Sequence, residues 1–401
     1  MQIRAFVIAT ALLFTTAGFC RADSDTEKKP VWANLDIQLY GYFKADGSYD
    51  SSRTTTGDYT VWVDSEAANP NDDEFNMTAK QSRFGIKVKG PDHGQMQTRG
   101  HLEFDFYGGG APDNKAAPMM RHAYLEVNWP ENGIGILAGQ TWDVMGPLNP
   151  STLNYTVLWN AGNLGYRRPQ VRLTKNVKLK GDVDLKLQGA LARNIGTDSA
   201  ITGTDSGADA GFPIFQGRVG ATVPLIADKP TVFGCSGHWG QEEYDTTAGG
   251  ANKSFNTWSV NLDLTQPVNE WLNVQGELFT GENLGTYFGG IGQSLRAIKD
   301  ANGVTINHGN EIAAMGGWVA ANLGPWDNWS FTVGAGIDDV ADGDVNVGDR
   351  TQNSCIFGNA NYAINKNASV GVEVSHWRTL RRATGIAEAI RAQVSFIYKF
   401  F

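Results

Sequence analysis

The sequence predicts an all-β protein, a transmembrane antiparallel β-barrel of 16 strands, from three observations. The last segment, residues 390–401, alternates apolar with polar side chains and ends in aromatic residues, including Phe401. Similar alternating segments recur along the chain, and the connections between them alternate in length. A two-residue period places one row of side chains on each face of a strand, and aromatic residues at strand ends are typical of a membrane interface.

Residues 1–22 are predicted to be a secretory signal peptide. Arg4 lies in a basic first region, an apolar run follows, and Cys20 and Ala22 are the small residues before the cleavage site. We therefore expect a single barrel domain over residues 23–401. A lipoprotein anchored through Cys20 is the alternative, but Phe19 stands where a small residue is preferred.

The composition excludes a helical membrane protein. Beyond the signal peptide, no stretch approaches the roughly 18 consecutive apolar residues that a membrane helix requires. The 48 glycines and 11% aromatic residues fit many short strands joined by tight turns. The formal net charge is −9. Because acidic residues gather in the predicted loops and many arginines lie in the predicted strands, this net charge does not predict the charge of the interior.

The predicted strands form sixteen segments bounded by turn residues. They lie near residues 34–48, 76–90, 96–107, 119–129, 134–141, 167–175, 182–192, 213–222, 231–240, 256–265, 272–280, 311–322, 329–338, 353–364, 368–377 and 390–401. Seven connections are short and eight are mostly long and polar, as expected for short periplasmic turns and long outer loops. The strands of a soluble β-sandwich would also alternate apolar with polar residues, but such a fold would not need short and long connections in regular alternation.

The third long connection, about residues 142–166, is predicted to constrict the channel. A barrel of roughly 16 strands encloses a water-filled passage. This connection contains Pro147, Pro150 and several apolar residues that a solvated loop would not use. We therefore expect it to fold inward. The predicted constriction residues are Trp142, Asp143, Tyr155 and Trp159.

Several short segments carry a resemblance to a known family. They are residues 40–44 (YGYFK), 81–85 (QSRFG), 121–124 (RHAY), 138–142 (AGQTW), 165–170 (GYRRPQ) and 276–284 (GELFTGENL). Together they resemble the DcaP-like porins of bacterial outer membranes, over essentially the whole mature chain. The resemblance implies a homotrimer of sixteen-stranded porins, surrounded by outer-membrane lipid and lipopolysaccharide. It also implies a positively lined constriction that passes small anionic solutes, dicarboxylates among them.

The chain departs from this family in one visible place. Some members carry a long helical extension before the barrel, whereas here residues 23–33 precede the first predicted strand. The subunits of a homotrimer would therefore be held together by contacts between their barrel walls.

Cations on the strand face opposite the apolar residues are expected to line the channel. A charge facing the lipid midplane costs about 2–4 kcal/mol, so the water-filled interior is the favourable place for it. The predicted pore-lining residues are Lys44, Arg83, Lys87, Arg99, Arg168, Arg172, Arg218 and Arg391. Arg121 does not fit this pattern. Alternation places it on the same strand face as the apolar residues Ala123 and Leu125, and a β-bulge would be needed to turn it inward.

Two interpretations of these cations remain open. In one, they form a basic ladder that favours anions, because guanidinium groups bind carboxylates in a two-pronged manner. In the other, they pair with acids of the interior and merely fill a wet barrel. The acids concerned are Glu103, Asp105, Glu277 and Glu373.

Other functions are weakly indicated. His101, Glu103 and Asp105 share one strand face but lack further metal ligands, and the acidic segment 342–344 lacks the spacing of an EF-hand. The six histidines lie in separate segments and assemble no catalytic group. We therefore predict no metal, no cofactor, no nucleic-acid partner and no enzymatic activity. A structural or adhesive outer-membrane barrel without solute selectivity is the alternative to a porin.

Overall fold

The computed structural model describes residues 35–70, 72–108, 115–196, 207–226, 229–245, 252–299, 301, 303 and 305–400. The predicted signal peptide, residues 1–22, and Phe401, the predicted end of the last strand, lie outside the described residues.

The described chain is almost entirely β-structure. Its strands are β1 (Asp36–Asp50), β2 (Thr54–Thr56), β3 (Thr60–Val63), β4 (Glu74–Thr78), β5 (Arg83–Lys89), β6 (Gln97–Gly108), β7 (Ala117–Trp129), β8 (Ile134–Trp142), β9 (Arg167–Lys178), β10 (Asp184–Ala192), β11 (Ile214–Ile226), β12 (Lys229–Asp245), β13 (Asn252–Pro267), β14 (Leu272–Glu282), β15 (Leu295–Lys299), β16 (Thr305–Glu311), β17 (Ala313–Trp326), β18 (Trp329–Val340), β19 (Arg350–Ala363), β20 (Ala368–Arg381) and β21 (Gly385–Phe400). Short 3₁₀ turns span Pro130–Asn132, Gly285–Tyr287, Gly290–Gly292 and Asp342–Asp344. None of these described helical turns is long and apolar enough to cross a membrane.

Among the described residues, seventeen strands form one closed antiparallel sheet. β1 closes the barrel by pairing with β21, from Gly41 opposite Phe400 to Asp50 opposite Arg391. The other edge of β1 pairs with β5 and then with β4, so these two strands together occupy one position around the barrel. The sheet therefore has sixteen positions, which confirms the predicted fold class.

The two faces of the wall differ as the alternation predicted. On β20, Val372 and Val374 are more than half exposed, whereas Glu373 and Ser375 are 3% exposed. The same alternation recurs on β1 and β21, where the exposed residues include Phe43 and Phe396. The outer face is thus apolar, as required of a surface that meets lipid.

The connections alternate between short and long as predicted, but two outer loops contain extra hairpins and one outer loop is short. The first outer loop contains the β2–β3 hairpin and the sixth contains the β15–β16 hairpin, neither of which was predicted. The last outer loop is short, because only residues 382–384 separate β20 from β21.

A β-bulge at Arg121 explains how this charged residue avoids the apolar face of β7. Glu103 pairs with His122 and Phe104 pairs with Met120, which leaves Arg121 as an extra residue. The bulge turns Arg121 to the inner face beside His122. There its Nε lies 2.7 Å from Oε1 of Glu103, and its Nη1 lies 2.8 Å from Oδ2 of Asp105.

The seam between β1 and β21 can be tested by cross-linking. Ala45 lies opposite Phe396, and both are exposed on the outer face. Directly opposed strand residues have Cα atoms roughly 4.5–5.5 Å apart, within the range that a disulfide spans. With Cys235 and Cys355 replaced by serine, the pair Ala45→Cys and Phe396→Cys should cross-link on oxidation. The cross-link should change the mobility of the heat-unfolded chain in a non-reducing gel.

The matched control keeps Ala45→Cys and moves the second cysteine along β21, to Ile390, which is exposed but lies opposite Ser51 rather than Ala45. This pair should not cross-link. Equal cross-linking of both pairs would contradict the register of the seam.

Candidate functional site: the inner face of the barrel

The third outer loop, residues 143–166, lies inside the barrel, and we call it the inner loop. Its apolar side chains are buried, with Met145 0%, Leu158 1% and Trp159 4% exposed. Asp143 and Tyr155 are also buried, whereas Trp142 is the last residue of β8 and is only partly buried. The predicted constriction residues therefore come from this loop and from the strand that leads into it.

Two carboxylates of the barrel wall hold the backbone of the inner loop. Glu277 on β14 accepts hydrogen bonds from the backbone N–H of Leu148 at 2.8 Å and from Nε1 of Trp318 at 3.1 Å. Glu373 on β20 accepts from the backbone N–H groups of Leu153 and Asn154, at 2.6 and 3.1 Å. A loop buried in a barrel must find partners for its backbone groups, and these acids supply them.

Further strands bind the inner loop through side-chain amides and one ammonium group. The backbone carbonyl of Leu153 accepts from Nζ of Lys44 at 2.8 Å and from Nε2 of Gln393 at 3.0 Å. At the start of the loop, Val144 donates its backbone N–H to Oε1 of Gln216 at 2.8 Å. The loop is thereby fixed to β1, β11 and β21 as well as to β14 and β20.

Glycine lets the inner loop touch the wall directly. Gly162 has a φ of +113°, and a Cβ there would lie 2.1 Å from the carbonyl oxygen of Gly317 on β17. A Cβ on Gly336 of β18 would lie 2.2 Å from the carbonyl oxygen of Ala161. The loop and the wall pack backbone against backbone here because no side chain separates them.

The sixth outer loop covers the inner loop from outside. Tyr287 and Phe288 accept backbone hydrogen bonds from Gly165 and Asn160, both at 2.8 Å. Tyr287 is fully buried against Arg168, and burial raises the pKa of its hydroxyl above the ordinary range. The hydroxyl therefore stays neutral, and the two loops form one packed body.

Aromatic rings surround a small cavity beside the inner loop. The cavity has a volume of about 90 Å³. The aromatic residues that line it are Tyr59, Tyr107, Tyr155, Trp159, Tyr166 and Phe288. Burial raises the pKa of Tyr155, so its neutral hydroxyl can donate to Oδ2 of Asp105 at 3.2 Å.

Half of the predicted pore-lining cations are buried in ion pairs. Each lies on the inner face, as predicted, but is at most 8% exposed. The nitrogen-to-oxygen distances are 3.3 Å for Lys44 and Asp46, 2.7 Å for Arg168 and Asp143, 2.6 Å for Arg218 and Asp263, and 2.6 Å for Arg391 and Asp50. A buried charge requires a partner, and each of these four cations has one.

The other predicted cations keep contact with water. Lys87 and Arg99 are exposed, and Arg83 and Arg172 are partly buried. Arg83 shares Glu103 with Arg121, at the longer distance of 3.6 Å. Within the described part of the chain, no carboxylate forms an ion pair with Lys87, Arg99 or Arg172.

The sequence analysis left three basic residues of the inner face out of the predicted pore lining. Lys186 on β10 is exposed, and the charges of Arg172 and Arg218 act on it. Its alternation with Leu185 and Leu187 was visible in the sequence, so the parity rule could have found it. Arg121 was hidden by its bulge. Arg167 was passed over because it adjoins Arg168, and alternation assigns only one of two neighbours to the inner face.

The inner face therefore has two halves. On β13, β14, β18 and β20 the acids are buried and hold loops or cations, as Asp263, Glu277, Asp338 and Glu373 do. On β5, β6, β9 and β10 a set of cations remains open to water. We call this set the basic strip, and its members are Arg83, Lys87, Arg99, Arg172 and Lys186.

A chamber of about 850 Å³ lies at one end of the basic strip. The charged residues that line it are Asp36, Lys87, Lys89, Arg99 and Glu126. Cations outnumber acids in this chamber, and no described group of His, Cys, Asp and Glu is arranged to hold a metal.

Comparison with known proteins supports the sequence resemblance. The family model of the DcaP outer membrane protein matches residues 16–203. No curated protein is significantly similar to the chain in sequence.

Solved structures share the fold at low sequence identity. The outer membrane channel DcaP of Acinetobacter baumannii is 19% identical, with a TM-score of 0.70 over 92% of this chain and 98% of that chain. An anion-selective porin from Comamonas acidovorans is 12% identical, with a TM-score of 0.57 over 91% and 100% of the two chains. The trimer form of OmpT from Vibrio cholerae is 11% identical, with a TM-score of 0.54 over 92% and 100%.

The carboxylate contacts predict how the inner loop can be released. Glu373→Ala leaves two buried N–H groups without partners, at about 1–3 kcal/mol each. We expect the loop to leave the wall in part of the population, so that single-channel conductance rises and becomes noisier in planar bilayers. The control is Glu388→Ala, since Glu388 has a side chain 53% exposed and pairs with Arg378. Unchanged conductance in the Glu373 variant would contradict a role of this carboxylate in holding the loop.

Proposed function

We propose that this chain is a porin of the bacterial outer membrane that passes small anionic solutes by passive diffusion. The match to the DcaP family model and the sixteen-position barrel support this proposal. The family and the structural neighbours support a general porin function, and they are channels and porins rather than enzymes. The preference for anions is our proposal. The observation that carries it is the basic strip, whose cations are open to water while the acids of the opposite half are buried.

The electrostatic argument concerns which charges a passing solute meets. Glu277 and Glu373 are at most 6% exposed and are engaged by the inner loop, so they contribute little to the water-filled space. Arg172 is partly buried and Lys186 is exposed, and neither has a carboxylate partner among the described residues. Positive charge along a low-dielectric wall raises the local concentration of anions.

Dicarboxylates are the solute class that we propose. A guanidinium group binds a carboxylate through two parallel hydrogen bonds, and several cations in sequence let a solute move from one to the next. Because the members of the basic strip remain hydrated, binding stays weak enough for release. The family resemblance supports the same class of solute.

We further propose that the inner loop forms the constriction and that the mature protein is a homotrimer of one barrel domain, residues 23–401, after removal of residues 1–22. Burial of the inner loop against five wall strands supports the first part. The trimer form of the OmpT neighbour supports the second. Lipid and lipopolysaccharide would cover the remaining outer wall.

Ion selectivity tests the basic strip. A unit charge about 8 Å from an ion in water contributes roughly 0.5 kcal/mol. Each charge acts with opposite sign on anions and cations, and salt screening over this distance roughly halves both effects. Removing three charges with Arg83→Gln, Arg172→Gln and Lys186→Gln should therefore lower the anion-to-cation permeability ratio by roughly tenfold. The ratio is measured from zero-current potentials across a salt gradient.

Arg378→Gln is the matched control, because Arg378 lies on the outer face and pairs with Glu388 at 3.3 Å. It should leave the ratio unchanged. A preference of the wild-type channel for cations would overturn the proposed function.

Uptake into liposomes tests the solute class. Three solutes of matched size, one neutral, one with a single carboxylate and one with two, should enter in increasing order of rate at low salt. High salt should reduce the differences, because exposed charges are screened. Equal rates at low salt would contradict a preference for dicarboxylates.

A further inference from the structure

Arg167, the first residue of β9, is a buried cation without a polar partner. It is 2% exposed, and its Nε, Nη1 and Nη2 atoms have no hydrogen-bond partner in the structure. The other buried arginines of the described inner face contrast with it. Arg121, Arg168, Arg218 and Arg391 each lie within 2.8 Å of a carboxylate oxygen.

Aromatic rings form the surroundings of Arg167. Its Cζ lies 4.4 Å from the ring centroid of Tyr166, 4.7 Å from that of Trp142 and 6.0 Å from that of Trp159. Ring faces attract a cation but accept no strong hydrogen bond, so the five N–H donors of the guanidinium group remain unused. A buried charge in this state is costly unless an opposite charge is present.

Three buried acids of this part of the interior are already paired with other arginines. Glu103 and Asp105 form ion pairs with Arg121, with nitrogen-to-oxygen distances of 2.7 and 2.8 Å. The Cζ atom of Arg121 also lies 5.9 Å from the ring centroid of Trp142. Asp143 is engaged by Arg168. The charge that balances Arg167 is therefore not provided by these neighbouring carboxylates.

A second unused donor lies in the same place. Nε1 of Trp159 is buried and has no hydrogen-bond partner in the structure. Trp159 and Tyr166 also line the cavity of about 90 Å³, which exceeds the roughly 10–15 Å³ that a cavity needs to hold one water molecule. The unused donor of Trp159 thus belongs to a residue that lines this space, and Arg167 packs on Tyr166, which lines it too.

We propose that Arg167 and Nε1–H of Trp159 bind one small, singly charged anion, a halide or a carboxylate group. The anion accepts hydrogen bonds from both side chains and balances the guanidinium charge. Because Trp159 belongs to the inner loop and Arg167 to β9, the bound anion ties the loop to the wall. The site is buried and separate from the basic strip, so it does not depend on the proposed selectivity of the channel.

Bromide is the probe for this site, because it can be located by anomalous scattering. Crystals of the wild-type protein grown or soaked in bromide should show an anomalous peak at hydrogen-bond distance from the Arg167 guanidinium group. Absence of a peak at a bromide concentration that saturates other sites would overturn the proposal. This measurement needs no variant and stays decisive if the variants fail to fold.

Thermal unfolding of the detergent-solubilised protein gives a second readout. At equal ionic strength, the wild type should unfold at a higher temperature in bromide than in gluconate, which is too large for the cavity. Arg167→Gln should abolish the difference. Trp159→Phe keeps an aromatic ring but removes the N–H donor, so the bromide concentration for half of the effect should rise roughly tenfold.

Arg193→Gln is the matched control, since Arg193 is exposed, and it should keep the full bromide effect. If the wild type unfolds at the same temperature in both salts, Arg167 serves only as a cation packed on aromatic rings, and the proposal fails. Acetate distinguishes the two sources of anion. Loss of the bromide peak in acetate assigns the site to carboxylates as well, whereas an unchanged peak restricts it to halides.

Discussion

The structure of the interior depends on hydrogen bonds from the backbone of the inner loop to carboxylates of the barrel wall. A segment of irregular backbone inside a barrel loses water from its N–H and C=O groups, and each unpaired group is costly. Glu277 and Glu373 supply acceptors at two separate points of the loop. Glycines at the contact with β17 and β18 then allow the loop to lie flat against the wall.

The same interaction divides the charges of the barrel. Acids that hold the inner loop, or that pair with buried cations, no longer face the water-filled space. The members of the basic strip, which lie on β5, β6, β9 and β10, are partly buried or exposed and keep access to water. A chain with a formal charge of −9 can therefore present a positive surface to a solute, because position rather than net charge decides what the solute meets.

The number of strand positions and the side to which most side chains point could be predicted from the sequence, because they follow from local alternation. The strand limits were less accurate, since β12 and β21 extend up to five residues beyond their predicted ends. The state of each cation could not be predicted. Arg218 pairs with Asp263, and Arg391 pairs with Asp50, 341 positions away in the chain. Such pairs depend on the register of distant strands and on where the inner loop lies. The bulge at Arg121 shows in the sequence only as a conflict with the alternation of Ala123 and Leu125. Lys186 could have been found by the rule that found Arg172.

The contacts of the inner loop also join distant parts of the chain across the seam of the barrel. Its partners Lys44, Glu277, Glu373 and Gln393 lie 109, 129, 220 and 240 positions from the loop residues that they bind. Lys44 and Gln393 reach the same carbonyl, that of Leu153, from opposite sides of the seam. That binding position exists only after β1 has joined β21. The two hydrogen bonds to this carbonyl are therefore present together only in the closed barrel.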